Sequence, residues 1–186
     1  MVGAAGHLRG QMIDFQKLTS PELLALHAAL AEELRKRGVT RSSNNPVGDL
    51  AENIFCRAFG WKQAGKSMRD ADATDDAEVR YQIKGRRLTA HNRSRQLGAI
   101  RELPKRGFDV LAAVLFREDY RVLRAALIPH SVVVKLAKRV DRTNSWRFLL
   151  LDAVWTNPDV RDVTADLVKA EQQWTSAIMK DGTQSP

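Results

Sequence analysis

The sequence predicts a mixed α/β fold in which helices flank a central sheet, and three observations carry that expectation. The run FDVLAAVLF, Phe108–Phe116, is almost wholly apolar and of strand length, as a central strand buried on both faces should be. Leucine stripes at helical spacing precede it, at Leu23, Leu26, Leu30 and Leu34 and again at Leu50, Ile54, Phe55 and Ala58. Between them, Val79 to Lys84 alternates in the two-residue period of a strand, so Gln82 and Lys84 share one face while Tyr81 and Ile83 share the other.

Thr19 or Ser20 caps the first helix, with Pro21 in its first turn, Arg35, Lys36 and Arg37 in its last, and Gly38 as its stop. Asn45-Pro46 opens a second by the same chemistry, running to Gly60. A short strand is expected over Trp61 to Ser67. A hairpin then carries Asp72 on its first arm and Val79 to Lys84 on its second, with Asp75 and Asp76 at the tip and Asp70 and Glu78 also in the connection.

Asn92 to Leu103 reads as a basic helix with Leu97, Ile100 and Leu103 inward, stopped by Pro104. After the central strand, YRVLRAALI is its hairpin partner, Pro129 opens a helix to about Arg139, SWRFLLL is a further strand, and Thr164 caps a last helix. Trp155 and Trp174 are expected in the core. Residues 19–180 form a single domain on this reading, with tails at 1–18 and 181–186.

Charge narrows the partners. Lys and Arg number 30 against 22 Asp and Glu, for a net +8 and a pI near 10.0. The segment Lys84 to Arg106 alone holds eight basic residues and one acid, Glu102. So concentrated a positive field favours a polyanion, nucleic acid and DNA first. Arg86, Arg87, Arg93, Arg95 and Gln96 are its candidate contacts.

Cys56 is the only cysteine, which excludes an intramolecular disulfide and a cysteine-based zinc cluster, and a cytoplasmic protein is the simplest reading. The longest apolar run, Val110 to Phe116, is too short to span a membrane, and Met1 to Gln11 lacks the apolar centre of a signal peptide. His7, His27, His91 and His130 have no metal-ligand spacing, and neither a phosphate-cradling glycine loop nor a GxSxG elbow is present.

A helix bearing Glu52, a strand end bearing Asp72, a strand bearing Gln82-Ile83-Lys84, then a helix and a buried strand, together resemble the PD-(D/E)XK nuclease superfamily. That superfamily includes restriction endonucleases and Holliday junction resolvases. The resemblance spans roughly Val47 to Ile128 and implies a restriction endonuclease-like sheet. It further implies that Asp72 is the metal-bridging carboxylate, Lys84 the lysine of the motif, and Glu52 the helix glutamate that can add a ligand.

Two positions depart from the pattern. Ala71 stands where proline is usual, which removes no chemistry. Gln82 stands where an acid is usual, which weakens the hold on a hard cation. The expected activity is hydrolysis of a phosphodiester with Mg2+ or Mn2+ held by Asp72, the Gln82 amide oxygen, the Ile83 carbonyl and Glu52, while Lys84 acts on water or on transition-state charge. A binding or regulatory module that keeps the fold without catalysis is the alternative. A homodimer would suit the cutting of two strands.

Overall fold

A computed structural model describes residues 5–8, 11–41, 45–64 and 71–181. Asp70 and the end of the expected strand Trp61 to Ser67 lie outside the described residues. The chain divides into two compact units, Met1–Pro46 and Val47–Pro186.

In the first unit, strands β1 (Ala5–Leu8) and β2 (Gln11–Asp14) pair antiparallel, within the stretch expected to be a tail. Helix α1 (Ser20–Lys36) begins as the sequence implies: the Glu22 carboxylate accepts from both the Thr19 amide and the Thr19 hydroxyl at 2.7 Å. Its leucine stripe departs from expectation, because no residue of α1 is buried.

The second unit is built on α2 (Val47–Phe59), β3 (Lys62–Gln63), β4 (Ala73–Thr74), β5 (Arg80–Arg87), β6 (Ile100–Arg101), β7 (Val110–Phe116) and β8 (Val122–Pro129). It continues through α3 (His130–Leu136), β9 (Lys138–Val140), β10 (Ser145–Arg147), β11 (Arg161–Asp162) and α4 (Thr164–Asp181). Six strands form a mixed sheet in the order β11-β8-β7-β5-β4-β3, and β6-β10-β9 make a small second sheet. Among the described strands only the β5–β7 pair is parallel, in an unbroken register from Tyr81 opposite Val110 to Arg87 opposite Phe116.

As predicted, β7 is central, and Leu111 through Phe116 are fully buried. Its alternate residues enter different cores. Ala112, Val114 and Phe116 join Tyr81 and Ile83 of β5, Ala51, Ile54 and Phe55 of α2, and Leu167 of α4. Leu111, Ala113 and Leu115 join Leu97, Ile100, Phe108, Val132, Phe148 and Leu150 on the other face. Burying a side chain of this size contributes about 1.5–3 kcal/mol, so both faces of β7 anchor the unit. On the α2 side, Phe55, Phe59, Trp61 and Tyr81 stack in series, with the Trp61 and Tyr81 centroids 3.7 Å apart.

Three further expectations change. No helix forms over Asn92 to Leu103. Instead Leu97 donates to the Phe148 carbonyl and Leu150 to the Arg95 carbonyl, each at 3.0 Å, so the segment is extended and pinned to its neighbour. The apolar residues Leu97, Ile100 and Leu103 are buried as expected, but by tertiary pairing that a helical count does not register. Helix α3 stops at Leu136, and Lys138–Val140 turns into a strand paired with β10. The expected SWRFLLL strand is regular only over Ser145–Arg147, after which Phe148 and Leu150 are buried and Leu149 and Leu151 exposed. Trp155 and Trp174 are half-buried, each under an arginine, Arg124 at 3.9 Å and Arg57 at 4.8 Å.

Two contacts fix β5 in place. A Cβ on Gly85 would lie 2.9 Å from the Val47 carbonyl oxygen and 3.0 Å from the Ala51 Cβ, so the first turn of α2 rests directly on this glycine. At the opposite end, the Asp109 carboxylate accepts from the Arg80 amide (3.1 Å), Nε (3.0 Å) and Nη2 (3.1 Å), locking the starts of β5 and β7 together.

Gly85→Ala should therefore destabilise the protein by about 1–3 kcal/mol in urea unfolding, since backbone must move to admit the methyl. Asp109→Ala should cost about 1–2 kcal/mol at neutral pH, because the carboxylate is partly exposed and screened. The Arg80 guanidinium, opposed by partial burial, holds the Asp109 carboxyl below its ordinary value. A carboxyl depressed on folding contributes stability above its unfolded pKa of about 3.9 and loses it as pH falls toward the folded value. The deficit of Asp109→Ala should accordingly shrink below about pH 4 in pH-dependent thermal melts.

Candidate metal and nucleic-acid site

Alternation along β5 decides which side chains reach the site. Ile83 is buried and Gly85 lies under α2, so Gln82, Lys84 and Arg86 project from the opposite face. On β5, β4 reaches only Arg80 and Tyr81, and among the described residues no strand covers that edge of β5 from Gln82 onward.

Asp72 sits at this discontinuity. It precedes β4 by one residue, and continuing the register of Ala73 with Tyr81 places it opposite Gln82. Its backbone amide donates to the Tyr81 carbonyl at 2.8 Å, and its carboxylate Oδ2 accepts from the Ile83 amide at 2.7 Å. The Asp72 side chain thus serves as the partner of the Ile83 amide, and the second oxygen, Oδ1, takes no part in that bond. Ala71 and Ala73 on either side are buried, which holds the half-buried aspartate in position.

Two other acids of the turn, Asp75 and Asp76, are already used. Asp75 accepts from the Tyr81 hydroxyl at 2.8 Å and from the Ala77 and Val79 amides, which shapes the turn and lowers the acid's pKa. Burial, reinforced by that hydrogen bond, pushes the Tyr81 phenol up. Asp76 forms an exposed pair with Lys62 at 2.9 Å.

Gln82 Oε1 is buried and has no hydrogen-bond partner. A buried carbonyl oxygen left unsatisfied costs about 1–3 kcal/mol. Two positions on, half-buried Lys84 runs beside Gly98, whose added Cβ would lie 3.7 Å from Lys84 Cδ. Among the described residues, no ion pair joins Lys84 to Asp72. Gly98 was not legible as a site neighbour, because the segment carrying it read as helix.

Glu52 lies on α2, half-buried and held in an interaction of its own, on the Ile83 side of β5. The structure therefore brings Asp72, Gln82 and Lys84 to one region, while α2 carries Glu52. Among the described residues no group of three or more His, Cys, Asp or Glu could hold a metal ion. The donors at the discontinuity are instead one carboxylate, one amide oxygen and the Ile83 carbonyl, on the same strand edge as its amide. An all-oxygen set of this kind suits Mg2+ or Mn2+.

The basic candidates divide. Arg86 donates to the Ser94 carbonyl and to Asn92 Oδ1, both at 3.0 Å, so it fastens the loop after β5. Arg95 pairs with Asp152 at 2.8 Å, which Arg124 shares. Arg87 lies 4.2 Å over the Tyr120 ring and donates to its hydroxyl, yet its Nε is buried without an acceptor. Arg93, Gln96 and Arg101 are exposed. Of these candidate contacts, Arg86 and Arg95 also hold the fold, while Arg93 projects outward.

Compared with known proteins, the chain matches no family model and no curated sequence.

Proposed function

We propose that the unit from Val47 onward is a metal-dependent nuclease that hydrolyses phosphodiester bonds, with DNA the preferred substrate. The observation that carries this reading is Gln82 Oε1. A buried oxygen with no partner, beside a carboxylate anchored by the Ile83 amide and a lysine without a counter-carboxylate, suits coordination of a cation better than packing in a core. Asp72, Gln82 and the Ile83 carbonyl would hold Mg2+ or Mn2+, with Glu52 a further ligand if α2 admits it. When bound, such an ion supplies water activation at neutral pH and charge neutralisation of the scissile phosphate.

The chain's own residues supply the rest. Asp72 is fixed by the Ile83 amide, so its free oxygen is presented without a reorganisation cost. Lys84 directs a cation from the same face as Gln82, where it can donate to a phosphate oxygen or orient water. Arg93 and Arg101 offer exposed phosphate contacts on the loop and strand that follow β5.

A second reading, a DNA-binding module without catalysis, is favoured by one observation: an uncharged glutamine stands where the resembling nucleases carry an acid.

Lys84→Ala should abolish metal-dependent cleavage of DNA, a loss of about 10²–10³-fold, while DNA binding stays within several-fold. Wild type should show a thermal shift with Mn2+ or Mg2+ that Asp72→Asn removes. Gln82→Glu should enlarge that shift and lower the melting temperature of the ion-free protein, through repulsion from Asp72. A wild type with neither shift nor cleavage of linear, branched and single-stranded DNA leaves only the binding module.

Arg93→Ala with Arg101→Ala should flatten the salt dependence of DNA affinity by about one unit per lost phosphate contact, without changing stability. Arg86→Ala and Arg95→Ala should instead lower the melting temperature, since each removes bonds that hold a loop. An unaltered salt slope in the Arg93 and Arg101 double variant would place the footprint elsewhere.

A further inference from the structure

We propose that the outward face of the small β6-β10-β9 sheet grips the phosphate backbone of a DNA duplex through Lys138 and Arg147, with Arg101 beside them. The choice of DNA rests on the function proposed above, but the surface uses neither a metal nor Asp72, Gln82 or Lys84.

The pairing register sorts the residues of this sheet onto two faces, because side chains directly opposite one another in an antiparallel pair share a face. Ile100, Trp146 and Arg139 form one row. Ile100 is fully buried, Trp146 packs on the same core, and Arg139 lies 4.9 Å over the Trp146 ring, so this row faces inward. The outward face carries Arg101, Ser145 and Val140 in one row and Arg147 opposite Lys138 in the next. Arg101, Lys138 and Arg147 are exposed, while Ser145 on the central strand is buried with its hydroxyl 2.7 Å from that of Thr143.

Charge selects the occupant. Among the described residues the side chains of these three cations have no ion pair, hydrogen bond or ring contact. The acids flanking the strands are taken: Glu102 is held by Lys105 at 2.6 Å and Asp141 by Arg139 at 2.7 Å. Arg147 and Lys138 face each other across the ladder with Cβ atoms about 5 Å apart, and Arg101 lies on the diagonal from Arg147 at about 7–8 Å. Like charges directly opposite destabilise a sheet, and an anion shared between them turns that repulsion into attraction. A phosphate backbone supplies a row of such anions, each able to take two parallel bonds from a guanidinium. The face also discriminates between polyanions. Trp146 is turned inward, so no ring is offered for unpaired bases to stack on, which favours a duplex over a single strand. Val140, the apolar member of the face, is half-buried, so no exposed apolar side chain of the face enters a lipid surface.

Fluorescence anisotropy of the full chain on a linear DNA duplex, over a range of salt, tests the surface. Lys138→Ala with Arg147→Ala should flatten the slope of log affinity against log salt by about two units. It should weaken duplex binding more than binding to a single strand of the same length, and should leave any Mn2+ thermal shift as in wild type. Arg147→Glu sets a carboxylate opposite Lys138, so it should raise the melting temperature while weakening duplex binding, which separates lost contact from lost folding. A slope flattened in the double variant supports the surface even where wild type shows no metal shift and cuts nothing, so this proposal and the nuclease reading fail separately. An unaltered slope overturns it, and so does a double variant that loses binding to phosphatidylserine vesicles but not to duplex.

Discussion

The parallel ladder between β5 and β7 is the constraint on which everything else in the second unit depends. Strand side chains alternate, so the register that buries Ile83 beneath α2 also commits Gln82 and Lys84 to the other face. A slip of one residue would drive an amide and an ammonium into the α2 core and place Ile83 and Gly85 on the side of the basic loop. Two contacts forbid it: Val47 and Ala51 of α2 leave no room for a side chain at Gly85, and Asp109 grips Arg80 at the other end. The chemistry of the candidate site is therefore an outcome of packing on the opposite side of the sheet.

Local order made some elements legible in the sequence, and non-local pairing hid the others. The apolar run that becomes β7, the Thr19–Glu22 start of α1, the Asn45-Pro46 start of α2 and the alternation in β5 each write their structure within a few residues. The segment after β5 does not. Its Leu97, Ile100 and Leu103 have helical spacing, but the bonds that decide its path go to Phe148 and Leu150, some fifty residues on, which no local pattern encodes. The same distance hides the double role of Arg95, since Asp152 lies 57 residues away. For α1 the leucine stripe was plain, while its exposure was not, because periodicity reports that a face is apolar without naming what covers it.

The arginines show how far a net charge can mislead about a surface. Most of the positive field lies between Lys84 and Arg106, yet Arg86, Arg95 and the half-buried Arg87 are bound to carbonyls, carboxylates and an aromatic ring. Guanidinium groups do this readily, since their planar donors reach several acceptors at once and their stems cover apolar surface. A basic segment can thus be a scaffold and a contact surface together. Which arginine serves which purpose follows from the acceptors around it.

The ladder between β5 and β7 also orders events in time. Its partners are 29 residues apart in the chain at the Arg80 and Asp109 clasp, with an irregular loop between them. Closing such a loop costs entropy before any pairing returns it, and parallel contacts of this separation form slowly. In a chain emerging from synthesis, Gln82 and Lys84 have no fixed face until Phe116 has been made and β7 has docked. The charged residues meet their partners only after the core has closed, so a half-made chain carries the basic loop without the geometry of the candidate site.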